Sequence, residues 1–178
     1  LILCNPSNPC GKVFTYDELM IIAELAKKYD AYVITDEVYE HIVYEPNRHI
    51  YMASLPGMRE RTIVCNSLSK TYSITGWRLG YVIANKKITD RVKKVHDFLT
   101  VGAAAPLMEA AVTGLLFDDS YYDELKAHYT HMKELFVGGL KSLGLRFTEP
   151  QGAYYVLVDV SEFGVKDDVR FCEWMAEY

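Results

Sequence analysis

Short apolar runs alternate with stretches of helical period along this chain. Residues 1–4 (Leu1-Ile2-Leu3-Cys4) form a buried-strand run. It breaks at Asn5-Pro6-Ser7-Asn8-Pro9-Cys10-Gly11, where two prolines forbid helix and sheet ladder alike. Thr15 and Glu18 have the T-x-x-E spacing of a capping box, which predicts a helix to about Tyr29 with Leu19, Ile22, Ala23 and Ala26 on one face. Residues 31–35 read as a second strand ending at Asp36, 62–66 as a third ending at Ser67, and 80–84 as a fourth. Runs this apolar, without polar alternation, predict an α/β sheet covered on both faces.

A helix of about a dozen residues is expected from Thr89, with Val92, Val95 and Leu99 turned inward, and another from Pro106 to Phe117. The composition shifts at Asp118-Asp119-Ser120. Beyond it, Tyr122, Leu125, Tyr129, Met132, Phe136 and Leu140 fall at helical spacing until Gly144 stops the helix. Residues 145–148 and 153–159 read as a hairpin or paired strands, and a last helix starts near Asp167. These patterns divide the chain into 1–118 and an incomplete second unit, 119–178. An interior-type strand at the first residue, with no methionine, leads to the expectation of a piece of a longer protein.

Composition changes this picture little. Half of the 178 residues are hydrophobic and 24% are charged, as in ordinary globular domains. A net charge of −5 argues against a nucleic-acid binder, and no apolar stretch reaches the length of a membrane span. Cys4, Cys10, Cys65 and Cys172 match neither a zinc pattern nor a redox pair, and three of them sit in or beside apolar runs, so buried free thiols in a reducing cytoplasm are the expectation. His128 and His131 lie three apart on a helix without a third ligand, and no metal site is expected. Glu37 and Glu40 read as supporting or surface residues.

The chemistry lies where the strands end. Asn8 follows the first, Asp36 and Tyr39 the second, and Ser67 and Lys70 the third. Ligands of open α/β sheets bind outside the carboxyl ends of the strands, so parallel strands would bring these residues to one crevice. A lysine, a carboxylate, an arginine, a serine and two neutral hydrogen-bonding groups suit a ligand with an aldehyde, a ring nitrogen, a phosphate and a phenolic oxygen. Pyridoxal 5'-phosphate has all four.

Three segments carry a family resemblance. Asn5-Pro6-Ser7-Asn8-Pro9-Cys10-Gly11 resembles the NPxNPxG signature of class I/II pyridoxal-phosphate aminotransferases, and Asp36-Glu37-Val38-Tyr39 resembles their D-E-x-Y strand end. Ser67-Leu68-Ser69-Lys70, followed by Gly76-Trp77-Arg78-Leu79-Gly80-Tyr81, resembles their cofactor attachment site. The order and spacing of the three are specific, and residues 97–106 and the Gly152-Ala153-Tyr154-Tyr155 strand extend the resemblance along the chain.

The resemblance implies part of a three-layer α/β/α large domain with a mostly parallel sheet, followed by part of a small α+β domain. It implies Lys70 as the Schiff-base lysine and proton carrier, and Asp36 opposite the pyridine nitrogen. Tyr39 and Asn8 would face the phenolic oxygen, with Ser67 and Arg78 on the phosphate and Ser69 a weaker candidate. It also implies an amino acid and a 2-oxo acid as substrates and a homodimer as the assembly. The ring-stacking aromatic and the arginine that clamps the substrate carboxylate match nothing here, so these residues alone are expected to bind the cofactor weakly and not to turn over. Two alternatives share the motifs: a C–S lyase of the same fold, and the cofactor-binding effector domain of an aminotransferase-like transcription regulator.

Overall fold

The computed structural model describes all 178 residues, and its one sheet has the order β1 (Ile2–Cys4), β2 (Val33–Asp36), β3 (Thr62–Ser67), β4 (Gly80–Ile83). The first three strands are parallel, with Cys4 beside Asp36 and Asp36 beside Cys65. β4 runs antiparallel to β3, and Gly80 pairs with Ser67. The sheet is therefore mostly parallel, as expected, and the carboxyl ends of β1, β2 and β3 lie along one edge.

The period-2 geometry of strands sorts the side chains onto two faces. Leu3, Val33, Thr35, Thr62, Val64 and Asn66 share one face and all are buried. On the other face Ile2 is 85% exposed, while Ile34 and Asp36 are also open. Only the first face is covered within these residues, which corrects the expectation of a sheet buried on both sides.

That cover comes from α1 (Tyr16–Lys28) and from the turns around Met52 and Met58. The capping box forms as its spacing predicts. Glu18 N–H donates to Thr15 Oγ1 at 3.3 Å, and the Glu18 carboxylate accepts from Thr15 N–H at 2.9 Å. Leu19, Ala23 and Ala26 then point at Leu3, Val33, Met52, Leu55 and Met58 to close the main core.

The remaining helices are α2 (Lys86–Thr100), α3 (Ala105–Leu115), α4 (Asp119–Ser142) and α5 (Asp168–Glu177). α2 starts three residues earlier than the apolar pattern predicts, because Asn85 caps it by accepting from Ile88 N–H at 3.1 Å. Val92, Val95 and Leu99 are exposed, not turned inward. No helix is long and apolar enough to cross a membrane. The cysteines also depart from expectation: all are free, but Cys4 and Cys65 are half-buried and Cys10 and Cys172 are exposed.

The segments expected to pair, 145–148 and 153–159, do so at one bridge between Phe147 and Val158, with Thr148 N–H donating to Leu157 O at 2.9 Å and Asp159 N–H to Arg146 O at 2.8 Å. Residues 151–153 are drawn away to other partners. Gln151 N–H and Gly152 N–H both donate to Gly11 O, at 2.8 and 2.9 Å, and Ala153 N–H donates to Ile42 O at 2.8 Å. Gly152 sits so close that a Cβ there would lie 2.8 Å from Val13 Cγ2 and 2.9 Å from Ile42 O. This approach fastens the C-terminal segment to the loop that follows β1. Gly152→Ala should therefore lower stability by about 1–3 kcal/mol through overpacking, read as a lower denaturation midpoint of the purified protein.

Candidate active site

Asp36 is the last residue of β2, and its carboxylate lies on the open face between Cys4 and Cys65. One carboxylate oxygen accepts from Val38 N–H at 3.3 Å, so the aspartate does cap the next turn, and it forms no ion pair. Both neighbouring thiols are pushed up, first by burial and then by the Asp36 charge, although a backbone hydrogen bond from Asn8 opposes the rise at Cys4.

The turn after β2 is anchored underneath. Glu37 is 1% exposed, accepts from Thr35 Oγ1 at 2.8 Å and meets His49 Nε2 at 2.8 Å. His49 packs edge-on against Tyr51 at 4.6 Å, and its Nδ1 is buried without a hydrogen-bond partner. Glu40 lies nearby and accepts from Asn66 Nδ2 at 2.7 Å. Glu37 is thus a buried anchor between Asp36 and Tyr39, the supporting one of its two readings. The pattern that could have found it is the polar residue inside an otherwise buried strand end.

Tyr39 is 2% exposed and its hydroxyl is 2.8 Å from that of Tyr155. Asn8 Nδ2 donates to the same Tyr155 hydroxyl at 3.4 Å. Residues from the β1 loop, the β2 turn and the C-terminal segment therefore meet at one oxygen. Burial first, then hydrogen bonds to Tyr155 and Tyr154, hold the Tyr39 phenol far above its ordinary range, so it is a neutral donor at any physiological pH. Tyr154 packs edge-on against Tyr39 at 5.2 Å and carries Lys70 Nζ over its ring, 5.5 Å from the centroid. Neither Tyr154 nor Tyr155 was singled out from the sequence as a site residue. Two adjacent tyrosines after Gly152-Ala153 were the available signal.

Ser67 ends β3. Its hydroxyl lies 2.8 Å from Leu79 O and 2.7 Å from Ser69 Oγ, and accepts from Ser69 N–H at 3.1 Å. A hydroxyl has one hydrogen. When Ser67 donates to Ser69 Oγ, the Ser69 hydrogen is the free donor of the pair, so the two serines act together. Lys70 follows in the same loop and has no carboxylate partner. Arg78 is exposed, in the left-handed region at φ 56°, and donates to Thr75 O at 2.9 Å within its own turn. Its guanidinium pairs with no carboxylate. His128 and His131 stand exposed on α4.

The structure thus brings Asn8, Tyr39, Tyr155, Tyr154 and Lys70 into one connected set, places Asp36 and Ser67 at adjacent strand ends, and sets Arg78 on the turn leading into β4. Removing the imidazole beneath this set strands a buried carboxylate. His49→Ala should lower stability by roughly 3 kcal/mol or more, measured by denaturant unfolding of the purified protein.

Comparison with known proteins follows the same outline. The profile described as "Aminotransferase class I and II" matches residues 1–177. Kynurenine--oxoglutarate transaminase 3 of Bos taurus is 38% identical over 192 residues, covering 98% of this chain and 42% of that protein. Methionine aminotransferase of Escherichia coli is 32% identical, covering 99% of this chain and 45% of its own length. Among solved structures, N-succinyldiaminopimelate aminotransferase from Mycobacterium tuberculosis superposes with a TM-score of 0.95 at 32% identity, covering 99% of this chain and 46% of that one. The chain spans less than half the length of each of these relatives.

Proposed function

Because the chain belongs to the class I and II aminotransferases, we propose that the protein carrying it moves an amino group from an amino acid to a 2-oxo acid with pyridoxal phosphate as cofactor. When bound, that cofactor supplies an aldehyde that captures amines and a ring that accepts the electron pair freed at the substrate α-carbon.

The donor set fits that cofactor. Lys70 and Arg78 are cations without carboxylate partners, in the same loop as two serine hydroxyls, one of which can donate outward. A phosphate dianion is matched by a forked guanidinium plus hydroxyls. Asp36 presents a carboxylate with no cation beside it on the open face of the sheet. The observation that carries the reading is the parallel register of β1, β2 and β3, which sets Asn8, Asp36 and Ser67 along one edge with Lys70 in the following loop.

Each residue then has a task that its chemistry can perform. Asp36 stabilises a proton on the ring nitrogen, since an adjacent anion raises the pKa of a cationic acid. Tyr39, held neutral by its burial and partners, donates to the phenolic oxygen together with Asn8. Arg78 and Ser67, supported by Ser69, hold the phosphate. Lys70 attaches the cofactor through Nζ. As a free amine, the same nitrogen would be the base that takes a proton from the substrate α-carbon and the acid that returns it.

The protein's cytoplasmic location and homodimeric assembly belong to this proposal. The location is supported by four unpaired cysteines, a state that a reducing compartment maintains, and the homodimer by family resemblance alone.

Borohydride reduction of the purified protein with pyridoxal phosphate should leave the label on the peptide containing Lys70. Lys70→Ala should take up no label and lose roughly a thousandfold in transamination with 2-oxoglutarate. Label of normal intensity in that variant would refute the assignment.

A further inference from the structure

We infer that Tyr154 is the resting partner of the Lys70 amine, a positioning residue that holds Nζ over its ring until an aldehyde claims that nitrogen. The inference rests on Lys70 being the attachment lysine and deepens that reading.

The ring of Tyr154 is held in place from several sides, although the residue remains 40% exposed. It stacks on Tyr129 at 5.9 Å and 18°, meets Tyr39 edge-on at 5.2 Å, and touches Tyr155 at 4.8 Å. The backbone beneath it is fixed as well. Ala153 has φ 58° and is fully buried, its N–H donates to Ile42 O, and its carbonyl accepts from Tyr44 Oη at 2.6 Å. Tyr44 Oη is itself buried, and its phenol is pushed up to about 12 by that burial and by Tyr129. A tyrosine braced this way is a fixed surface, whereas lysine side chains are flexible. The only aromatic ring beneath Lys70 Nζ is that of Tyr154, 5.5 Å away at its centroid. A cation over an aromatic face is attracted by the ring quadrupole, and a hydroxyl on that ring adds an acceptor.

The charges of the pair move as such contact requires. The Tyr154 hydroxyl raises Lys70 above its ordinary value, with Tyr155 and Tyr129 adding smaller effects and desolvation opposing them. Burial raises the Tyr154 phenol, but hydrogen bonding to Lys70, Tyr39 and Tyr155 more than offsets it, and the net shift is downward. Both shifts favour an ammonium donating to a phenol oxygen. An ammonium is not a nucleophile. Tyr154 therefore keeps the lysine oriented and protonated while no aldehyde is present, and holds back its unprotonated form. The groups facing this pair are Tyr39 from the β2 turn, Tyr129 from α4 and Tyr155 from the same segment. None is a carboxylate or a second cation.

The test is competition labelling of Lys70 in the full-length, cofactor-free protein with acetic anhydride across pH, read by mass spectrometry of its peptide. Only the unprotonated amine reacts. Tyr154→Phe keeps the ring and its packing and removes the hydroxyl. The labelling midpoint should move to lower pH, with Lys70 reacting roughly twofold or more faster below the midpoint, the size of effect that an exposed polar contact carries. Tyr155→Phe serves as the comparison: it removes a hydroxyl of the same cluster that influences Lys70 only at a distance, and should move the midpoint far less. Equal midpoints in wild type and Tyr154→Phe, or equal shifts in the two variants, overturn the inference. Borohydride fixation at Lys70 is run alongside. If it persists while the midpoint stays put, the Tyr154 role fails and the attachment role stands. If it is missing in the wild type, the attachment role fails and takes this one with it.

Discussion

The close approach of Gly152 to the loop after β1 is the contact on which the rest of the arrangement depends. Only a hydrogen fits between that backbone and Val13, Ile42 and Pro6. The carbonyl of Gly11, itself in the left-handed region at φ 66°, accepts two N–H groups from residues 151 and 152. Through this clamp, residues more than 140 positions after the β1 loop are delivered to its side. Tyr155 reaches Asn8 and Tyr39, and Tyr154 reaches Lys70. Without it the strand ends would hold a carboxylate, a hydroxyl and a lysine, but no shared wall.

Electrostatics divides the molecule in a consistent way. Away from the site, many charged groups have a partner of opposite sign, as in Lys12–Glu18, Arg61–Asp30, Lys86–Asp90 and Arg146–Asp159. Exposed pairs of this kind contribute little to stability. The buried pair, Glu37 with His49, lies directly beneath the turn that carries Asp36 and Tyr39. At the strand ends Asp36, Lys70 and Arg78 are left without ion pairs. Charge there is available to a ligand, and the buried pair underneath fixes where it stands.

Much of the scaffold was legible because its causes are local. The T-x-x-E spacing at Thr15 and Glu18 specifies a helix start by itself, and the apolar runs mark β1 to β3. Asn8, Asp36, Tyr39, Ser67 and Lys70 could be picked out because polar groups soon after buried strands need a reason to be there, whereas Arg78 was legible only through the resemblance of Gly76-Trp77-Arg78-Leu79-Gly80-Tyr81 to the attachment site. What was not legible depends on contacts distant in sequence. The pairing expected between 145–148 and 153–159 is short because the backbone of 151–153 is held by Gly11 and Ile42 instead. The early start of α2 turned on one asparagine, Asn85, followed by two lysines that hide the period. Tyr154 and Tyr155 look like packing aromatics until the fold sets them against Lys70, Tyr39 and Asn8. The inward face expected on α2 and the second buried face of the sheet both presuppose neighbours beyond these residues.

The most direct measurement is a crystal structure of the full-length protein grown with pyridoxal phosphate. Density should run continuously from Lys70 Nζ into the cofactor, with the Asp36 carboxylate at the ring nitrogen and the Arg78 guanidinium against the phosphate. Cofactor density attached elsewhere, or a ring lying away from the carboxyl ends of β1, β2 and β3, would contradict the account.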